Sequence, residues 1–292
     1  MSRLCTVPHA SWSDAPDADA ASAATAALER GNILFLPNLP FVVERDDRSI
    51  FSPDILSSSK NTSFDPASGR VGGTTLTGDQ FTRLGRLMAR FSDSARSLVA
   101  GLFPQYQPRI TRARASFRPA EIAGRRTSWR KDDTRLHVDS FPASPVQGRR
   151  ILRVFSNVNP AGRPRSWRVG EDFPRVADRF AAALSLPWPG TAAVLQLLRV
   201  TKTRRTAYDA VMLQLHDRMK DDRKFQSTCE QEAIDFPSGS TWIAFTDHVS
   251  HAAMAGQYQF EQTFLVPVDA MIDESLSPLR ILEKLKGCPL TA

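Results

Sequence analysis

The heptapeptide Arg135-Leu136-His137-Val138-Asp139-Ser140-Phe141 places a histidine and a carboxylate two residues apart. On an extended segment alternate side chains point to the same face, so His137 and Asp139 can present two ligands to one metal ion. A His-x-Asp pair also arises by chance, and an exposed polar pair on a strand or loop is the plain alternative. The pattern therefore needs a third ligand from elsewhere in the chain before it indicates a metal site.

That third ligand is expected within residues 245–254, which contain His248 and His251. We predict His251, because it lies near the start of a strand that follows the apolar run 242–245. His248 falls in the turn between them, where an exposed polar residue is the ordinary expectation. Two histidines and one carboxylate form the ligand set of non-haem Fe(II) oxygenases, which leave coordination positions open for a co-substrate and O2. Gly-x-Ser-x-Gly, Walker-type and Gly-x-Gly-x-x-Gly motifs are absent from the sequence.

Length and composition indicate one large soluble domain. The chain has 292 residues, of which 41% are hydrophobic and 24% charged. Cys5, Cys229 and Cys288 are scattered and odd in number, which favours a reducing compartment over a disulfide framework. The first twenty residues carry three aspartates and no apolar core, and no later stretch resembles a membrane span. We therefore expect a cytoplasmic protein.

The charge of the chain points to an anionic partner. The net charge is +7, and only seven of the thirty-eight basic residues are lysine. Arginine pairs bidentately with carboxylates and phosphates, so nucleic acid, an anionic lipid head group or an acidic sugar would each suit it. Charge alone does not choose among them, and a dispersed basic surface explains the composition equally well.

Hydrophobic periodicity and the short, closely spaced strands predict an α+β fold with a β-sandwich or barrel core decorated by helices. The order of the metal motif, with the His-x-Asp pair first and the lone histidine last, is what a double-stranded β-helix of the jelly-roll or cupin type requires, so we expect that core. Strands are predicted at 31–37, 111–118, 135–141, 151–158, 229–236, 240–245, 249–254 and 259–266. Helices are predicted at 20–30, 79–103, 174–185, around 206–219, and at 277–286 with Ser277 as N-cap. Residues 52–79 are expected to form a long loop and 161–170 an irregular segment.

These elements predict a single domain, residues 1–292, with three parts. Residues 1–109 decorate the core with helices and strands. The β-helix occupies 110–270 and carries a helical insert near 174–222, and a C-terminal helix completes the chain within 271–292.

Several sequence blocks resemble the Kdo 3-hydroxylases of Gram-negative bacteria. They are residues 136–142, 148–160, 167–171, 250–254 and 261–264, among which Arg-Ile-Leu-Arg-Val-Phe at 150–155 is far more specific than the His-x-Asp pair. The resemblance covers most of 110–270. It implies an Fe(II)- and 2-oxoglutarate-dependent dioxygenase that uses O2, with ascorbate as reductant in vitro. The reaction converts Kdo, the acidic eight-carbon sugar next to lipid A, into its 3-hydroxylated form, Ko. The iron ligands carry over to His137, Asp139 and His251.

The co-substrate residues are harder to assign from the resemblance. Many 2-oxoglutarate oxygenases bind the far carboxylate with an arginine ten to fifteen residues after the last histidine, and here that window contains no basic residue. Another branch uses a basic residue on the strand after the His-x-Asp motif, so we predict Arg153, with Asn157 on the same strand face. Arg118 is a further candidate for a carboxylate, and Trp167 for a wall of the pocket.

The predicted substrate is Kdo-lipid A, and no nucleic-acid partner is expected. Such a substrate implies peripheral contact with the cytoplasmic face of the inner membrane, without an inserted anchor. An arginine-rich pocket mouth would attract its anionic groups, and the candidates are Arg112, Arg114, Arg149, Arg150, Arg163, Arg165 and Arg168. Two alternatives remain: a related 2-oxoglutarate oxygenase acting on a protein or nucleic acid, and a metal-free β-barrel that binds anionic ligands.

Overall fold

Two β-sheets form the centre of the molecule in the computed structural model, which describes residues 2–57 and 60–291. The larger sheet has eight strands, in the order β1-β2-β9-β6-β11-β5-β3-β4, and the smaller has three, β10-β7-β8. Their bounds are β1 Leu4–Thr6, β2 Ile33–Leu36, β3 Thr62–Asp65, β4 Arg70–Gly72, β5 Thr111–Arg118, β6 Arg150–Asn157, β7 Arg165–Val169, β8 Glu232–Phe236, β9 Thr241–Phe245, β10 His251–Ala255 and β11 Gln259–Val266.

Within residues 2–57 and 60–291, seven α-helices lie around the sheets. They are α1 Ala18–Glu29, α2 Gly78–Leu102, α3 Phe173–Phe180, α4 Thr191–Leu197, α5 Ala207–Asp221, α6 Arg223–Thr228 and α7 Pro278–Lys286. The apolar stripe of α2 recurs at helical spacing and packs with α1 on the outer face of the large sheet. Ser277 caps α7 as predicted, since its side chain accepts a hydrogen bond from the backbone N–H of Arg280.

Strand parity decides which side chains enter the space between the sheets. On β6, Leu152 and Val154 face α1 and α2, whereas Arg153 and Phe155 face the small sheet. Aromatic rings fill most of the inter-sheet space, and Phe236 stacks on Trp242 at 4.0 Å between ring centroids. Towards one end these aromatic residues give way to charged side chains, so the two sheets enclose a polar cleft there.

The segment that carries the His-x-Asp motif is extended but forms only a single bridge rather than the predicted strand. Its backbone pairs with the outer edge of β10: His137 and His251 exchange both backbone hydrogen bonds, at 3.0 and 2.9 Å. The N–H groups of Asp139 and Ala253 donate to Thr246 and Asp133 respectively. The motif is therefore attached to the small sheet by the segment that contains the third predicted ligand.

The two segments that were predicted to be irregular contain regular secondary structure, so both predictions were wrong. Residues 52–79 contain β3, β4 and a short 3-10 helix, although positions 58–59 lie outside the described residues. Residues 161–170 contain β7, whose alternation at Arg165, Trp167 and Val169 is masked by the polar and basic residues between them. In the part of the chain that the structure describes, no helix has the length and apolarity needed to cross a bilayer.

Candidate metal centre

Three potential ligands meet at the polar end of the cleft. One ligand atom from each of His137, Asp139 and His251 lies within 4.8 Å of the other two. The two imidazole rings are 4.7 Å apart between centroids, and Nε2 of His137 is 3.7 Å from Oδ1 of Asp139. Both histidines are more than nine-tenths buried. The cluster has the composition and compactness of a site that binds one metal ion from one side.

The local backbone orients both histidines for metal binding. Nδ1 of His137 donates to the carbonyl of Arg135 at 2.7 Å, and Nδ1 of His251 donates to that of Val249 at 2.8 Å. With the proton fixed on Nδ1, the lone pair of each Nε2 is free for a metal, as in most metal-binding histidines. Burial also lowers the pKa of each ring, so both are neutral near pH 7.

Asp139 supplies the negative charge of the cluster. Burial alone would raise its pKa, but the guanidinium of Arg153, 3.0 Å away, together with the two histidines and Thr246, holds the pKa of Asp139 well below its ordinary value. The backbone N–H of Asp139 donates to Thr246 at 2.7 Å, which fixes the segment. The carboxylate is therefore ionised and held in position by its protein partners.

His248 lies away from this cluster, but it is not the exposed turn residue that the sequence predicted. Its ring is buried, 5.5 Å from that of Phe173 between centroids. The backbone of Gly31 passes directly over it: a Cβ at this position would lie 2.7 Å from Nδ1 of His248, and the φ of Gly31 is +84°. Burial, joined by the charge of Arg150, lowers the pKa of His248 well below that of a free histidine.

The burial of His248 predicts a loss of stability in mild acid. Its pKa is depressed in the folded protein but about 6.5 in the unfolded chain, so protonation below that pH favours unfolding. In His248→Gln, the free energy of unfolding should fall about 1 kcal/mol less than in the wild type between pH 7.5 and 5.5. Urea denaturation at both pH values measures this difference. An identical loss in the two proteins would contradict it.

The cleft holds three arginines and three carboxylates. Nη1 of Arg153 donates to Glu261 at 2.6 Å, and Nε of Arg118 donates to the same carboxylate at 3.0 Å. Burial opposes ionisation of Glu261, but these two arginines lower its pKa. Asp133 behaves in the same way: burial raises its pKa, but Arg118 and Lys60 lower the pKa to about 2. Glu261 and Asp133 thus carry full charges inside the cleft, and the sequence alone did not assign them to it.

Arg165 differs from the other two arginines in lacking a carboxylate partner. It is 3% exposed, and its Nη1 donates to the carbonyl of Gly256 at 2.7 Å. Among the described residues no carboxylate lies within 4.0 Å of it, and its Nε is buried without a hydrogen bond. Burial, together with repulsion from Arg118, lowers the pKa of Arg165 to about 9, so it is still charged near neutral pH.

Trp167 lines the cleft. Its ring stacks on that of His251 at 5.0 Å with an interplanar angle of 25°, and its Nε1 is buried without a hydrogen-bond partner. Asn157 does not reach the cleft, and this prediction is corrected. Its amide donates to the carbonyls of Arg163 and Phe236, and its carbonyl accepts from the N–H of Asn159, because β6 ends there and the side chain satisfies the turn.

His216, which is not among the predicted ligands, borders the site. It lies on α5 with its ring 5.2 Å from that of His137 and perpendicular to it, and Asp217 contacts its Nδ1. This position depends on how α5 packs across residues 135–141, which carry His137 and Asp139 and are called here the metal segment. No local pattern in the sequence indicates it.

The predicted arginine-rich mouth is only partly present. Arg112 pairs with Asp93 on α2, because a bulge in the pairing of β5 with β11 breaks the parity that would have aligned it with Arg118. Arg150 is fully buried against Asp247 and the ring of Phe245. Of the seven arginines proposed for the mouth, Arg165 lines the cleft.

Comparisons with known proteins identify the family of the chain. A family model described as 3-deoxy-D-manno-oct-2-ulosonic acid (Kdo) hydroxylase matches residues 11–289. No curated protein matches the chain. The solved structures of the Kdo hydroxylase KdoO, a non-haem Fe(II) α-ketoglutarate-dependent dioxygenase, are similar over their whole length. The cobalt(II) complex is 42% identical, with 100% of this chain and 98% of KdoO covered and a TM-score of 0.97.

Two further KdoO complexes extend the comparison. The complex with α-ketoglutarate and Fe(III) is 42% identical, covering 98% of this chain and 97% of KdoO at a TM-score of 0.95. The complex with succinate and Fe(III) is 42% identical, covering 100% and 98% at a TM-score of 0.96. The prediction of a double-stranded β-helix core is thereby confirmed. The chain belongs to the Kdo hydroxylase family.

Proposed function

We propose that this chain is an Fe(II)- and 2-oxoglutarate-dependent dioxygenase that hydroxylates Kdo. The observation that carries the proposal is the convergence of His137, Asp139 and His251 at the polar end of the cleft, in a member of the Kdo hydroxylase family. A metal-free binding barrel would have no need for two histidines whose Nδ1 protons are both fixed on backbone carbonyls.

The residues present fit the iron that this activity requires. His137, Asp139 and His251 would hold it through two neutral imidazoles and one carboxylate, which leaves the side facing the cleft open. When bound, iron with 2-oxoglutarate and O2 supplies the hydroxylating power, one oxygen atom passing to the substrate as 2-oxoglutarate becomes succinate and CO2. The protein positions the groups: Trp167 supports the His251 ring, and Arg153 holds the Asp139 carboxylate in place.

For the far carboxylate of 2-oxoglutarate, we now favour Arg165 over the predicted Arg153. Arg153 already contacts Asp139 and Glu261, so a third carboxylate would bring uncompensated negative charge to one guanidinium. Among the residues that the structure describes, Arg165 is the buried cation of the cleft that has no carboxylate partner, and such a charge is stabilised by an anionic partner. Gly256 permits this placement, because a Cβ there would lie 2.9 Å from the carbonyl oxygen of Pro164 and 3.0 Å from Cδ of Arg165.

For the substrate, we propose that Kdo is presented on lipid A and that carbon 3 receives the hydroxyl group, giving Ko. Kdo carries a carboxylate and lipid A carries phosphates, and the net charge of +7 on the chain suits both. The reaction would then take place at the cytoplasmic face of the inner membrane, where the protein acts as a peripheral enzyme.

Mass spectrometry tests the proposed activity. The purified protein, loaded with Fe(II) and supplied with ascorbate and 2-oxoglutarate, is expected to add one oxygen atom to Kdo-lipid A. The addition should lie on the Kdo unit and should disappear when 2-oxoglutarate or O2 is omitted. Fragmentation of the released sugar locates the hydroxyl group at carbon 3.

Two results would contradict the proposal in different ways. Succinate release with peptide or nucleic-acid substrates, and none with any Kdo-containing compound, would indicate the related oxygenase. Failure of protein purified without oxygen to bind Fe(II) would favour the metal-free binding barrel.

A further inference from the structure

The segment between α3 and α5 exposes a cluster of apolar side chains to solvent. Residues 186–200, called here the apolar insert, contain six of the ten large apolar side chains that are exposed in the described chain. They are Leu186, Trp188, Val194, Leu197, Leu198 and Val200, and Trp188 and Leu197 are 85% and 82% exposed. Helix α4, within the insert, has no buried residue. Scattered single apolar residues are ordinary on a surface, but a cluster of this kind marks an interaction site.

The charge around the apolar insert has one sign. Residues 179–208 contain no aspartate or glutamate. Arg199, Lys202 and Arg204 are exposed, and Arg205 is half-buried. None of these four forms an ion pair among the residues that the structure describes. The surface therefore combines an apolar tip with a flanking group of unpaired cations.

The stems of the insert are hydrogen-bonded to helix α5 and to the residues that follow Phe141. At one stem the backbone of Ser185 exchanges two hydrogen bonds with the side chain of Gln214 on α5, two residues before His216. At the other, the N–H of Lys202 donates to Ala143 at 2.9 Å and Nη2 of Arg205 donates to Pro142 at 2.6 Å. Pro142 and Ala143 follow the metal segment directly. The insert is thus anchored to the helix that carries His216 and to the chain that follows Asp139.

We propose that the apolar insert docks the enzyme on an anionic membrane surface. Trp188, Leu197 and Leu198 enter the boundary between head groups and acyl chains, while Arg199, Lys202 and Arg204 contact lipid phosphates. An exposed tryptophan beside aliphatic and basic side chains is the composition of segments that lie in this interface. This inference rests on the proposed function, because docking is useful to an enzyme whose substrate is a glycolipid held in the membrane. It differs from the expectation from the sequence that no part of the chain inserts.

A second copy of the chain is a poorer occupant of the same surface. A symmetric pair would place the basic group of one copy against the same group of the other, with no acidic residue in 179–208 to compensate. A bilayer rich in anionic lipid offers both an apolar interior and negative charge. The chemistry of the patch therefore favours lipid.

Vesicle flotation of the iron-loaded enzyme tests the docking surface. The probes are vesicles of phosphatidylethanolamine and phosphatidylglycerol, compared with phosphatidylcholine alone. Wild type should float with the anionic vesicles, and the triple variant Trp188→Ser, Leu197→Ser, Leu198→Ser should bind them more than about tenfold more weakly. The matched control replaces three exposed apolar residues elsewhere, Val42→Ser, Ile272→Ser and Leu285→Ser, and should bind like wild type.

Fluorescence gives a second measurement that does not depend on a multiply substituted protein. Brominated acyl chains should quench the wild-type tryptophan emission on binding, and Trp188→Phe should lose most of that quenching. Equal flotation of the triple variant and wild type, or equal quenching in Trp188→Phe and wild type, would overturn the proposal. The proposal would also be overturned if wild type fails to float and instead sediments as a dimer, while the triple variant sediments as a monomer.

Activity on two substrates separates this proposal from the proposed function. The triple variant should turn over Kdo-lipid A in vesicles more than about tenfold more slowly than wild type. It should turn over a water-soluble Kdo oligosaccharide without acyl chains at the wild-type rate, and an equal loss on both would overturn docking. If wild type hydroxylates neither substrate, the proposed function fails, while flotation and quenching still decide the docking surface.

Discussion

Alanine in place of His137, Asp139 or His251 is expected to abolish both iron binding and hydroxylation. Loss of groups that only support metal ligands already lowers affinity or activity about 10–100-fold, so loss of a ligand should exceed about 100-fold. The three atoms lie within 4.8 Å of one another, and two remaining ligands hold the ion from too few directions. Iron content after anaerobic loading, together with succinate release, measures the effect.

His248→Ala is the matched control, because it removes a nearby buried histidine that faces Gly31 and Phe173 instead of the cluster. It should retain stoichiometric iron despite some loss of stability from the cavity that it leaves. Circular dichroism of all four variants shows whether the fold persists. Iron lost in His248→Ala and retained in His251→Ala would reverse the assignment of the third ligand.

Arg165→Gln is expected to weaken 2-oxoglutarate binding by about two orders of magnitude or more. Removing one partner of a buried charge pair costs about 3–5 kcal/mol, and each 1.4 kcal/mol is a tenfold change in Kd. Iron binding should be unchanged, because no contact joins Arg165 to the three ligands. Since Arg165 has no carboxylate partner in the free protein, its loss should also leave thermal stability equal or higher. Titration calorimetry of the iron-loaded protein measures the affinity.

Arg153→Gln should behave differently, and the contrast decides between the two arginines. Arg153 compensates Asp139 and Glu261, so its loss leaves two buried carboxylates without a shared cation. We expect a lower Tm and weaker iron binding in this variant. If Arg153→Gln weakens only 2-oxoglutarate binding and Arg165→Gln leaves it unchanged, the original prediction of Arg153 is right.

The sequence predicted the elements that repeat regularly and missed those set by tertiary contacts. The apolar stripe of α2 and the alternation of β6 follow directly from helical and strand periods, because each buries one face. Strand β7 escaped prediction because its buried residues include Arg165, and a charged residue in a buried position disguises the alternation. Helix α4 was missed for the opposite reason, since it buries nothing.

The candidate site shows the same division. His137, Asp139 and His251 follow from a local motif combined with strand context. The charged partners in the cleft do not, because Glu261 meets Arg118 and Arg153 only when β11 lies between β5 and β6. Strand parity could have indicated one charged residue of the cleft, Arg165. It lies two residues from Trp167, so a strand there would place both side chains in the cleft.

The pairing of the metal segment with β10 links metal binding to the tendency of the protein to aggregate. An uncovered strand edge presents unpaired N–H and C=O groups to other chains, and proteins commonly cover such edges. Here the covering segment, held at His137 and Asp133, also supplies two of the three predicted ligands. Opening of this segment would therefore release a bound ion and, at the same time, expose the unpaired backbone groups of the β10 edge. Bound iron, by holding the segment closed, would act against aggregation as well as taking part in catalysis.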